Sequence, residues 1–146
     1  MPSGDALWSV RDDRMMLIDA YVLMYAAGAA HPNKAPSTRL LERVARSELA
    51  ATIDAETLQE VLHRYRAIGQ WRAGRQVFDL ARQLFPSIVP ISAETRDRAR
   101  TLRDDYPALS AREALHAAVV MHDGCDAICS YDRDFDAITT ITRVEP

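Results

Sequence analysis

Ser110–Asp136 reads SAREALHAAVVMHDGCDAICSYDRDFD, and its punctuation decides the fold. Ser110 followed by Glu113 has the spacing of a capping box, in which each side chain satisfies a backbone amide at the start of a helix. Ala114, Leu115, Ala117, Ala118, Val119 and Met121 then recur at helical spacing. Gly124 ends the helix, because glycine takes the left-handed turn at no steric cost. Ala127-Ile128-Cys129 is too short and too apolar for anything but a buried strand. It runs into Ser130-Tyr131-Asp132-Arg133-Asp134-Phe135-Asp136, with acids at alternate positions. In open α/β sheets, ligands bind beyond the carboxyl ends of strands. Carboxylates gathered there suit a hard divalent cation, Mg2+ or Mn2+.

The same grammar extends outward in both directions. Met15–Ile18 predicts a buried strand closed by Asp19, followed by a helix that ends at Gly28. Ser37 is placed to cap a helix that runs to about Glu48. Leu49–Ile53 predicts a second strand, with Asp54 capping the helix that carries Leu58, Glu60, Val61 and Tyr65. A further helix spans Trp71–Phe85. Ile88–Ile91 reads as a short edge strand, since Pro90 cannot donate to a ladder. Ser92 caps a charged helix to about Tyr106, and Thr142–Val144 adds a last strand. Alternation of strand and helix predicts an α/β fold, with a mostly parallel sheet between helical layers. Residues 1–14 read as a flexible arm and 15–146 as the one domain.

The chain has 146 residues and a formal charge of −3, so composition carries no global nucleic-acid signature. No apolar run is long enough to span a bilayer. The two cysteines, Cys125 and Cys129, lack CxxC spacing and read as buried thiols in a reducing cytoplasm. Arginines cluster at Arg64, Arg66, Arg72 and Arg75, and again at Arg96, Arg98, Arg100 and Arg103. Each is read first as part of a solvated face, and the groups together as a track for an RNA backbone.

Four segments then carry a resemblance: Leu17-Ile18-Asp19, Gln59-Glu60-Val61-Leu62, Ala111-Arg112-Glu113-Ala114-Leu115-His116-Ala117-Ala118, and Ser130-Tyr131-Asp132-Arg133-Asp134-Phe135. In order and spacing the chain resembles PIN-domain proteins, and most of all the VapC-type toxins of bacterial toxin–antitoxin pairs. The resemblance implies a three-layer α/β/α domain and a Mg2+- or Mn2+-dependent endoribonuclease. It also implies a homodimer and a cognate antitoxin that occludes the site. Carried over by position, the catalytic acids are Asp19, Glu60, Glu113 and Asp132. The metal set is Asp19, Glu113, Asp132 and Asp134, with Ser130 as a supporting hydroxyl.

Two positions depart from the family pattern. Glu113 stands where Asp is usual, and Ala20-Tyr21 follows Asp19 in place of small polar residues. Those departures leave a second reading open, a PIN-fold module that binds RNA or a partner with weakened chemistry. Capping accounts for Glu113 as well as a site does. Asp54 and Glu56 are assigned to the helix start alone. Glu60-x-x-His63 and Glu113-x-x-His116 match the helical spacing of di-iron bundles, but the strands argue against a bundle, and both histidines are read as packing or interfacial.

Overall fold

The computed structural model describes residues 14–146. The expected arm, apart from Arg14, lies outside the described residues. Four strands form one parallel sheet: β1 (Met16–Ile18), β2 (Ala51–Thr52), β3 (Ala127–Cys129) and β4 (Thr142–Val144). Six helices accompany them among the described residues: α1 (Ala20–Ala27), α2 (Lys34–Ala45), α3 (Ala55–Ala67), α4 (Trp71–Leu84), α5 (Ala93–Asp105) and α6 (Ala111–His122). The strand order is β2-β1-β3-β4. From β1 the chain winds one way to β2, and from β3 it winds the other way to β4. The reversal lies between β1 and β3, where such sheets open a crevice at their carboxyl edge.

Strand periodicity divides the core into two layers. Met16, Ile18, Ala127 and Cys129 face one side, where α1 to α4 supply Val22, Leu40, Leu58, Val61 and Val77. Leu17 and Ile128 face the other, against Leu102 of α5, Leu115 and Val119 of α6, and Phe135. All three residues of β1 and all three of β3 are fully buried, so both strands read as continuous apolar runs rather than alternating ones.

Local sequence sets most boundaries. Asp54 accepts from the Thr57 amide, Ser92 from that of Thr95, and Ser110 and Glu113 form the complete capping box. Gly124 has φ 85°, the left-handed conformation expected just past α6.

Two expectations differ from what is found. Helix α2 begins at Lys34 rather than after Ser37. Pro36 lies in its first turn, where proline costs no internal hydrogen bond, and Ser37 is buried inside the helix with its hydroxyl 2.8 Å from the Tyr131 hydroxyl. Ile88–Ile91 is not a strand. It contributes one parallel bridge between Asp54 and Val89, and Pro90 has no amide to extend it.

Candidate metal-binding acidic cleft

Asp19 leaves the end of β1 and Ser130 the end of β3. The Asp19 amide donates to the Cys129 carbonyl at 3.0 Å, which ties the two strand ends together. Asp19 stands at the N-cap position of α1, yet its side chain makes no cap bond. Its Oδ2 instead accepts from Ser130 Oγ at 2.7 Å. The residue is 7% exposed. Burial raises its pKa, and the nearby Glu60 adds to the rise, while the positive charge of His116 and the Ser130 hydroxyl work against it.

A second acid enters from α3. Glu60 is 5% exposed, and its Oε1 lies 2.7 Å from His116 Nε2. The other ring nitrogen, Nδ1, lies 2.6 Å from Oδ2 of the fully buried Asp54. Burial alone would lower the His116 pKa, but the hydrogen bonds and charges of Asp54 and Glu60 outweigh it and hold the pKa well above the ordinary value. Asp54, assigned from sequence to capping alone, both caps α3 through Oδ1 and holds this ring through Oδ2.

The third group lies at the start of α6 and on the turn after β3. Ser110 N donates to Glu113 Oε1 at 2.7 Å, and Glu113 N to Ser110 Oγ at 3.1 Å. The Glu113 carboxyl also meets Asp132. Burial, then the hydrogen bond with Asp132, push its pKa up to about 7. Asp132 is held from two sides: its amide donates to Ser130 Oγ at 3.0 Å, and its Oδ1 accepts from Asp134 N at 2.9 Å. That second contact opens the 3-10 turn Arg133–Ala137. Arg143 of β4, 7% exposed, grips Asp136 of this turn with two nitrogens and donates to the Ser130 carbonyl.

Asp19, Glu60, Glu113 and Asp132 therefore line one cleft of about 410 Å3, with His116, Tyr21 and Arg112 in its wall. Donor atoms of Asp19, Glu60 and His116 lie within 4.8 Å of one another, as do those of Glu113, Asp132 and Asp134. Asp134 sits exposed at the rim and Ser130 is buried beneath. The cleft is the β1/β3 crevice that the strand order dictates. Apart from the His116 ring its donors are carboxylate oxygens, and like charges packed this closely resist ionisation. Burial is the main cause of the raised Glu113 and Asp19, with the neighbouring Asp132 and Glu60 adding to it, and a hard cation bound by oxygen donors would favour their ionised forms.

His116 was the residue that sequence reasoning did not place in the cleft. The available signal was its spacing from Glu113: residues three apart share a helix face. His63, by contrast, is exposed. Among the α5 arginines, Arg96, Arg98 and Arg100 pair with Glu56, Glu94 and Asp104, in keeping with a solvated face.

The family model described as PIN domain matches residues 16–140. Ribonuclease VapC13 of Mycobacterium tuberculosis is 38% identical over 130 residues, covering 89% of this chain and 99% of that protein. Ribonuclease VapC7 of the same organism is 35% identical over 138 residues, covering 90% and 92%. In fold, the chain resembles the crystal structure of VapBC2 from Rickettsia felis bound to a DNA fragment from its promoter, with a TM-score of 0.72 at 13% identity over 90% of this chain and 98% of that one. Mycobacterium tuberculosis VapC20, a toxin that cleaves the sarcin–ricin loop, gives 0.69 at 16% identity over 86% and 96%. The chain is a member of the PIN domain family.

Proposed function

We propose that this PIN-domain chain is an endoribonuclease, the toxin of a toxin–antitoxin pair, that hydrolyses RNA phosphodiester bonds with Mg2+ or Mn2+. The observation that carries the proposal is the convergence of Asp19, Glu60, Glu113 and Asp132 on one cleft from four separate parts of the chain. The ribonuclease names of relatives at 35% and 38% identity support the substrate class. Glu113 both caps α6 and lines the cleft, which favours catalysis over the weakened binding module.

Asp19, Glu113, Asp132 and Asp134 would hold the cation. When bound, a divalent ion supplies charge neutralisation and Lewis acidity for phosphodiester hydrolysis. The chain's own residues do the rest. Without the cation, burial and the contact with Asp132 raise Glu113 to a pKa of about 7, so at neutral pH this carboxyl gives up a proton to take the ion. Ser130 fixes the Asp19 carboxylate. Arg112 lines the cleft with no ion pair to another described residue, and a guanidinium there suits a phosphate oxygen. Tyr21, 47% exposed at the mouth, offers a ring on which an unpaired base can stack.

The partners follow from the same reading. The solved neighbours include a toxin–antitoxin complex from Klebsiella pneumoniae, and we assign this chain a cognate antitoxin. We also assign it a homodimer, with Ile68, Trp71 and Leu80, exposed along the α3–α4 hairpin, among the apolar side chains available to an interface. Light scattering at tens of micromolar should return twice the single-chain mass, and a monomer removes that assignment alone. Among the described residues, no helix is long and apolar enough to cross a membrane.

The test of function is cleavage of RNA by purified protein. Cleavage should require Mg2+ or Mn2+, stop with a chelator, and fall at least about tenfold in Asp19→Asn, the equivalent of ~1.4 kcal/mol of barrier. Equal cleavage by wild type and Asp19→Asn defeats the site, and no cleavage by either defeats the activity.

A further inference from the structure

The structure also speaks to a residue the family resemblance leaves unassigned. Resting on the functional reading above, we propose that His116 is a positioning residue: clamped between Asp54 and Glu60, it holds the Glu60 carboxylate in the cleft wall and does not ligate the cation.

The clamp is anchored at one end. Asp54 is fully buried. Its Oδ1 accepts from both the amide and the hydroxyl of Thr57, at 2.9 and 3.1 Å. Its Oδ2 is thereby aimed at His116 Nδ1, 2.6 Å away. The ring spans from there to Glu60 Oε1, 2.7 Å from Nε2. A neutral imidazole donates from one nitrogen only, whereas two short contacts to two carboxylates are met by a ring that donates from both. The ring is 3% exposed and has no room to turn toward another partner. Glu60 has three rotatable side-chain bonds, and this contact is what fixes one of its oxygens while the residue lines the cleft.

The competing role is ligation, since His116 lies within 4.8 Å of the Asp19 and Glu60 donor atoms. Ligation would require a ring nitrogen to give up its proton and leave a carboxylate. If Nε2 did so, Glu60 would lose the donor that fixes it, and if Nδ1 did so, Asp54 would be left buried and half-paired; a buried charge that loses its partner is strongly destabilising. Cations that prefer oxygen gain little from imidazole in exchange. Outer residues that orient the inner ones are commonly worth tenfold or more in activity.

Two near-isosteric substitutions separate positioning from packing. The amide nitrogen of Gln reaches about as far as Nε2, and that of Asn about as far as Nδ1. His116→Gln therefore keeps the Glu60 contact and abandons Asp54, and His116→Asn does the reverse. Melting temperature and metal-dependent RNA cleavage are measured for both. The expected result is a crossed order: His116→Asn is the more stable, because buried Asp54 keeps its partner, yet His116→Gln cleaves at least about tenfold faster, as loss of a hydrogen bond to a charged group implies. Activity that follows stability in the two variants overturns the proposal.

Nitrogen-15 NMR of histidine-labelled wild type reads the ring without relying on either variant or on activity. Both His116 nitrogens should carry protons, before and after Mg2+ is added. A ring nitrogen that lacks or loses its proton overturns the clamp. Wild type that cuts no RNA defeats the functional reading, and the NMR result still decides whether the ring donates twice.

Discussion

At Glu113, one carboxylate oxygen takes the Ser110 amide at 2.7 Å while the carboxyl group meets Asp132 across the cleft. The two roles separate under substitution. Glu113→Gln keeps a side chain that serves at the third position of a capping box and removes the charge, so the melting temperature at pH 5, where native Glu113 holds its proton, should hardly move, while RNA cleavage falls about tenfold or more. Glu113→Asp keeps the charge but is one methylene shorter. It should lose the Ser110 contact, costing roughly 0.5–2 kcal/mol of stability as cap losses do, and retain cleavage. Wild-type cleavage by Glu113→Gln would leave Glu113 as a cap alone. The capping box was legible in the sequence because its partners are three residues apart. The Asp54–His116 contact was not, because 62 residues separate its partners and no local pattern brings an end of α3 to the middle of α6. Asp19 was legible as a site residue only through its family match. It stands at the N-cap position of α1 without capping it, and the Ser130 hydroxyl that claims its carboxylate comes from 111 residues away.

Elements declared themselves where one residue type settles a boundary. Ser92, Ser110 and Gly124 each did so, through caps and a left-handed turn. Boundaries failed where tertiary contacts decide: Ser37 has the chemistry of a cap but is spent on Tyr131 inside α2. A close approach between helices was equally invisible. Gly74 of α4 faces Tyr65 of α3, and a Cβ placed on Gly74 would lie 2.6 Å from the Tyr65 Cβ. That neighbour is a side-chain stem rooted in a helix, so it can yield only if the hairpin opens. Alanine favours helix over glycine by about 1 kcal/mol, yet overpacking of a close contact costs about 1–3 kcal/mol. Gly74→Ala should therefore lower stability in urea with no change in metal-dependent cleavage measured well below the melting temperature. A variant as stable as wild type would mean that α3 and α4 part without cost. Because the exposed apolar residues Ile68, Trp71 and Leu80 ride on the same hairpin, the substitution should weaken dimerisation too.

Over the whole molecule, the two-way winding of the sheet places the ends of β1 and β3 together, and the acids gather there at the expense of native stability. Between the unfolded and native pKa of a raised carboxyl, the native state holds the proton that the unfolded chain has released. Stability then falls as pH rises through that window. Glu113 moves from 4.5 to about 7, so its share is intact below about 4.5 and is lost as pH passes 7. Asp19 is raised from 3.8 and acts in the same sense. His116, raised well above 6.5, adds a loss of the same sign at higher pH, where the clamp gives up its proton. Without a divalent ion, the urea midpoint should therefore decline from pH 5 to pH 8, and Glu113→Gln should flatten the decline between 5 and 7. Millimolar Mg2+ should reverse the pattern, because an ion that binds only the native state adds stability and finds more ionised carboxylates as pH rises. The gain from Mg2+ should thus be small at pH 5, large at pH 8, and much reduced in Asp19→Asn. A metal-free midpoint that climbs between pH 5 and 8 would mean that the native fold does not raise these carboxyls. A Mg2+ gain equal at both pH values would mean that the ion binds somewhere other than these acids.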